Sequence, residues 1–403
     1  MKSINSSQFP RNFLWGTSSA AHQVEGNTVD SDWWHWSLAG HVPYPGTGCD
    51  HYRMYEEDFL LMQKMHHNAH RLSIEWSRIV PQEGVINRKE IDHYKAVLQS
   101  LRKKKIQSFV TLHHMTSPLW FSKKGGFSKK ENIHFFLDFV TLCAKEFGGL
   151  VDFWITINEP TSYAAKSYFL GDGPPGGKNF GTALSVFLHL TEAHKRAYHL
   201  IKKLYPHASV GSSHVLTRFD SGGGLAGFLL SPVLHFLNNT LYFMLTKNTH
   251  DFVGINCYFR IEVSLHNIRK VLYEKDFSGI MQNKRHDLGW FVDSTSIYWL
   301  LVYTWNSMKK PIYITEHGIS DPSDKNRIGH IHDAVMSMTR ASEEGVDIRG
   351  YLHWTFLDNY EWSSGFEPKF GLVSVVSETK KRIPKKSAEY FSSIIRTHRF
   401  STE

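Results

Sequence analysis

Short runs of β-branched and aromatic residues recur along the chain, separated by longer stretches with helical spacing. The runs are Phe13–Ser18, Ala69–Trp76, Ile106–His114, Val151–Asn158, Ala208–Val215, Asp251–Phe259, Pro311–His317 and Ile348–Leu357. Several are apolar at both odd and even positions (FVTL, DFWITI, PIYIT), the pattern of parallel strands covered on both faces. Between them, Asp58–Met65, Ile133–Phe147 and Leu184–Leu204 carry the spacing of amphipathic helices. Alternation of strand and helix around eight runs predicts a closed parallel barrel, the α/β (β/α)8 or TIM fold, in preference to an open sheet. No fixed-period repeat or low-complexity linker interrupts it, and glycine-rich Gly171–Gly177 and Ser221–Gly227 read as loops. Residues 1–403 are therefore expected to form a single domain.

Polar and ionisable residues gather at the C-terminal ends of these runs. His113 and His114 end the third, Asn158 and Glu159 the fourth, and Glu316 and His317 the seventh; Asn256 and Tyr258 lie in the sixth, Trp354 and Asp358 in the eighth. In a barrel those ends converge on one mouth, where active sites sit.

Composition narrows the classes. The 41% hydrophobic and 21% charged content suits a packed globular chain. Net charge is +8, but the basic pairs and runs, such as Arg102-Lys103-Lys104-Lys105, are scattered and accompany no nucleic-acid motif, so no nucleic-acid partner is expected. Three cysteines cannot build a disulfide framework and fit a reducing compartment. The N-terminus lacks the apolar core of a signal peptide, and no stretch of 18 or more residues is free of both charge and polar breaks. A cytoplasmic protein with no membrane span is the expectation. His66, His67 and His70 have no HExxH or paired cysteines beside them, so they read as structural and no metal is expected.

Glu159 and Glu316 each follow a strongly apolar strand, on the fourth and seventh runs. Two carboxyl groups facing each other across an apolar-walled pocket titrate unequally. One can keep a proton for a glycosidic oxygen while the other, ionised, attacks an anomeric carbon. Arg71 could hold such a carboxylate charged, and Asn158 could donate to a sugar hydroxyl beside the acid. A Glu opening a loop is also commonly a helix cap or an ion-pair partner, and spacing alone does not separate these readings.

Six separate motifs resemble glycoside hydrolase family 1, the β-glucosidase and β-galactosidase family of (β/α)8 barrels. FLWGTSSAAHQVEG (Phe13–Gly26) and RLSIEWSRIVP (Arg71–Pro81) match its first two motifs. TLHH, TINEP and YITEHG follow in order, and GYLHWTFLDNYEWSSGF (Gly350–Phe366) closes the barrel. The resemblance runs from Phe9 to about Ser387. It implies Glu159 as acid/base and Glu316 as nucleophile, with Arg71 and Tyr258 contacting that nucleophile. Gln23, His113, Asn158, Glu361 and Trp362 would hold the non-reducing sugar, with Trp354 and Phe370 as apolar walls. The Glu361-Trp362 pair is usually missing from the 6-phospho branch, so a non-phosphorylated substrate is implied. The implied activity is a cofactor-free, retaining exo-β-glycosidase whose partner is a small β-glucoside, β-galactoside or β-fucoside. Transglycosylation would use the same intermediate, and a glycan-binding barrel without turnover is a separate class; barrels of that kind usually lack one Glu. The chain departs from the family pattern at Met115, Cys257 and His317 and in a short segment between strands five and six.

Overall fold

The computed structural model describes residues 9–264 and 295–397. Eight parallel strands close into a barrel: β1 (Leu14–Ser18), β2 (Ala69–Ser73), β3 (Gln107–His113), β4 (Phe153–Asn158), β5 (Ser209–Ser221), β6 (Val253–Val263), β7 (Ile312–Glu316) and β8 (Ile348–Trp354). Closure is made by β1 against β8, in register from Leu14 opposite Gly350 to Ser18 opposite Trp354. Gly16 permits the approach of β1 to β2, since a Cβ there would lie 1.7 Å from the Ala69 carbonyl oxygen.

A long helix follows each strand: α1 (His51–Lys64), α2 (Arg88–Lys103), α3 (Ile133–Phe147), α4 (Phe180–Leu204), α5 (Gly224–Thr246), α6 (Thr295–Met308), α7 (Arg327–Glu343) and α8 (Lys386–Thr397). Their inner faces explain their positions. In α2, Ile91, Tyr94, Val97, Leu98 and Leu101 recur every three or four residues and are all buried, while its charged residues face out.

The barrel interior is layered. Leu14, Ala69, Phe109, Ile155, Phe252, Tyr313 and Leu352 fill the floor, with the Phe109 and Phe153 rings stacked at 4.2 Å. Above this plug the interior turns polar. Arg71 Nε donates to Thr111 Oγ1 at 3.0 Å, Ser213 Oγ to Thr315 Oγ1 at 2.9 Å and Thr315 Oγ1 to Asn256 Oδ1 at 2.7 Å. The floor seals one end, leaving the mouth as the open one.

All eight expected strands are present, but two run further than the sequence indicates. β5 and β6 continue past Val215 and Phe259 as a ladder reaching Ser221 opposite Val263. Asp220 ties it by accepting from Arg218 Nε at 3.0 Å and Arg260 Nε at 2.6 Å, so charges that look like loop residues pair across the strands. The expected loop Ser221–Gly227 is also shorter than read, because α5 starts at Gly224. By length and composition alone α5 could cross a membrane.

No cluster of three metal-ligating side chains occurs among the described residues. His70 lies 3.3 Å from Thr17 Oγ1 and 3.2 Å from Ser19 Oγ. His67 packs edge-on against Phe356 and Phe391, and neither of its ring nitrogens has a hydrogen-bond partner among the described residues. Burial holds its pKa down at about 3. Below pH 6.5 the unfolded chain takes up this proton and the folded chain does not. Stability is therefore complete above 6.5 and is lost as pH falls towards 3. His67→Leu removes that loss: thermal denaturation should show little change at pH 8 and a gain of about 2 kcal/mol at pH 5. Equal effects at both pH values would refute it.

Candidate active site

Glu159 follows β4 directly, in the left-handed region at φ 46°, one residue before the short helix Pro160–Ala165. It occupies the capping position without using it, since its side chain caps no backbone amide. The carboxyl turns into the barrel mouth instead, where Asn256 Nδ2 donates to Oε1 at 2.7 Å. Met115 (φ 67°) and Trp362 (φ 51°) share this uncommon backbone conformation, and both line the same pocket.

Glu316 is the last residue of β7 and is 4% exposed. Arg71 NH1 donates to its Oε1, and Tyr258 OH donates to its Oε2 at 2.9 Å. Arg71 is fully buried, and its NH2 also reaches Asn158 Oδ1 at 2.7 Å. Both carboxyls line one cavity, joined through β6: Asn256 touches Glu159, and Tyr258, two residues on, touches Glu316. Bulges in the β4–β5 and β6–β7 pairings fall at Asn158 and Asn256, where the strands aim their side chains into the mouth.

Burial pushes the Glu316 carboxyl up to about 7. The Arg71 guanidinium opposes this, the charge of Glu159 adds to it, and the Tyr258 hydroxyl opposes it again. Glu316 has a cation and a phenol beside it, whereas Glu159 has an amide.

The rest of the cavity is lined by polar side chains and aromatic rings. Gln23 lies under the loop after β8, its Nε2 donating to the Tyr360 carbonyl at 2.8 Å, while its buried Oε1 has no partner among the described residues. Trp354 Nε1 donates to Glu361 Oε1 at 3.1 Å. Burial raises the Glu361 pKa to about 8; Trp354 lowers it, Glu316 raises it, and Lys166 and Gln23 lower it. Trp362 stacks on His22 with ring planes 9° apart, and Trp354 and Phe370 pack with Ala20 as a buried wall.

One expected residue is misplaced. His113 does not reach the cavity: its ring lies edge-on to Phe127, Phe136 and Tyr163 outside the barrel, with Nε2 3.3 Å from Ser117 Oγ. Strict alternation from inward Phe109 and Thr111 would have turned it inward, but β3 breaks parity at its end. His114 takes the place, nearly parallel to Trp354 and Trp362, with Nε2 3.2 Å from Asn158 Nδ2. Burial, then Arg71, keep His114 well below its ordinary pKa and neutral. The other expected residues, Gln23, Arg71, Asn158, Glu159, Tyr258, Glu316, Trp354, Glu361, Trp362 and Phe370, do meet at this mouth. Sequence reasoning missed Ser162 and Lys166, which also line it. They stand three and seven residues after Glu159, one face of a helix, and that spacing was the available signal.

The model of glycosyl hydrolase family 1 matches residues 5–219 and 232–400. The chain belongs to this family. It is 29% identical to β-glucosidase A of Thermotoga maritima, covering 98% of this chain and 99% of that one. It is 26% identical to a β-galactosidase of Pyrococcus woesei, over 96% and 97% of the two chains. Among solved structures, a β-glycosidase from Pyrococcus horikoshii superimposes with a TM-score of 0.91 at 32% identity, covering 98% of this family 1 chain and 97% of that chain. The T. maritima β-glucosidase in complex with glucoimidazole gives 0.90 at 27% identity, over 98% and 100%.

Proposed function

We propose that this family 1 chain is a retaining exo-β-glycosidase that hydrolyses non-phosphorylated β-glucosides, with β-galactosides and β-fucosides as further substrates. The observation that carries the reading is the unequal surroundings of Glu159 and Glu316 in one cavity. Glu316, charged beside Arg71, attacks the anomeric carbon. The bond to the aglycone oxygen breaks as Glu159 gives that oxygen its proton. Glu159 then takes a proton from water, which attacks the glycosyl ester and frees Glu316. Two inversions give net retention, which calls for carboxyl groups about 5–5.5 Å apart.

The free Oε1 of Gln23, the Glu361 carboxyl and the Trp354 indole offer the dense polar and flat apolar contacts a pyranose needs. Glu361, when ionised, repels a phosphate on the sugar. The buried wall of Ala20, Trp354 and Phe370 supports action at a chain end. The printed activities of the relatives, β-glucosidase and β-galactosidase, point the same way.

Proton NMR during hydrolysis of an aryl β-glucoside tests the mechanism directly. The β-anomer of glucose should appear first and mutarotate afterwards; α-glucose as the first product would exclude retention. An added alcohol should be glycosylated from the same intermediate, which measures how far transfer competes with hydrolysis.

A further inference from the structure

Helix α5 breaks the rule that a surface helix turns charge to solvent. Residues 221–246 contain no Asp, Glu, Lys or Arg. Every exposed residue of α5 is apolar, beginning with Leu225, Phe228 and Leu229 and ending with Met244 and Leu245, at helical spacing along one outer stripe. Leu225 and Phe228 are 74% and 70% exposed. The inner side is committed elsewhere: Asn239 Nδ2 donates to the Thr217 carbonyl at 2.7 Å, and Tyr242 and Phe243 are buried. The helix therefore lies along the barrel wall and cannot cross a bilayer while the barrel stays folded. Beside it, Phe180, Leu184 and Leu188 of α4 form a second exposed stripe, four residues apart. The two helices meet over an apolar groove that Phe187, Leu237 and Leu241 help to line.

Exposed apolar surface on two adjacent helices marks a contact with a protein or a membrane. The chemistry favours a lipid. A protein interface of ordinary size carries about ten hydrogen bonds, and the outer stripe of α5 offers no polar side chain to make them or to fix a register. A fluid acyl phase asks for none. Exposed Lys178 and Lys247 flank the two stripes with no acidic partner among the described residues, and the chain carries +8 overall, which draws it to an anionic surface. The family match is interrupted between residues 219 and 232, so Leu225, Phe228 and Leu229 lie outside the matched residues.

We propose that the outer faces of α5 and of the start of α4 form a membrane-docking surface, which lays the barrel on its side against an anionic lipid surface.

Vesicle sedimentation of the full chain tests this, with pure phosphatidylcholine vesicles and with vesicles also containing phosphatidylserine. The wild type should sediment with vesicles, more strongly when phosphatidylserine is present. Leu225→Glu/Phe228→Glu should lower the bound fraction at least about tenfold, since it removes two apolar anchors and adds like charge to the lipid. Met244→Glu, at the other end of the stripe, should lower it less. Unchanged hydrolysis of a soluble aryl glucoside shows that the variants are folded. Wild type remaining in the supernatant with both vesicles would overturn the proposal, as would sedimentation that the variants leave unaltered. So would a concentration-dependent dimer that the double variant splits in the absence of any vesicle binding, which would make a second copy the occupant.

Discussion

Replacing Glu316 by glycine should reduce turnover of an aryl β-glucoside by roughly 10⁴–10⁶-fold, on the scale set by deleting a nucleophile elsewhere, while the fold persists. The contacts predict a different defect for Glu159→Ala. With a good leaving group, protonation is dispensable in the first step, so the glycosyl-enzyme still forms. Its hydrolysis then slows by roughly 10²–10⁴-fold for want of a base, and a burst of phenol precedes a slow steady state. Azide separates the two roles by stereochemistry. In the Glu316→Gly variant azide enters the space left by the carboxylate, attacks opposite the leaving group and gives the α-glycosyl azide. In the Glu159→Ala variant it attacks the glycosyl-enzyme formed on Glu316 and gives the β-azide. Exchange of these two products would reverse the assignment, and native rates in both variants would abolish it.

That prediction was within reach of the sequence because barrel strands are strongly patterned. Runs such as DFWITI and PIYIT are apolar on both parities, so their positions were clear, and the residues ending them had to meet at one mouth. Spacing did not reveal that Glu159 declines its capping role, which depends on a left-handed backbone at one residue. Nor did it reveal which histidine of the His113-His114 pair faces the cavity. A strand that keeps parity would choose His113, and β3 loses parity where it meets the turn at Met115. The extension of β5 and β6 was hidden for another reason: Arg218, Asp220 and Arg260 look solvated one at a time and become a ladder only when paired. Helix α5 was the opposite case. Its lack of charge is plain in the sequence, but only the structure shows that its apolar stripe faces outward.

Arg71→Met should damage both catalysis and stability, with opposite dependence on pH. Arg71 is fully buried and divides its guanidinium among Glu316, Asn158 and Thr111. Losing a preorganised donor of this kind costs about 10²–10³-fold in rate, and breaking a buried ion pair costs about 3–5 kcal/mol. Burial already pushes Glu316 up to about 7, and Arg71 is the largest influence holding it down. Without it the nucleophile ionises at higher pH, so the acidic limb of the kcat/KM profile should move upward and part of the lost activity should return in alkaline buffer. Stability runs the other way. Glu316 in the variant binds its proton more tightly folded than unfolded, where its pKa is 4.5. The variant therefore keeps this contribution below pH 4.5 and loses it as pH rises through 7 and beyond. Arg71→Lys keeps the charge without the planar fork, so its acidic limb should stay near that of the wild type although its rate falls. An Arg71→Met variant whose acidic limb does not move would show that the guanidinium positions the strand ends without setting the charge of Glu316.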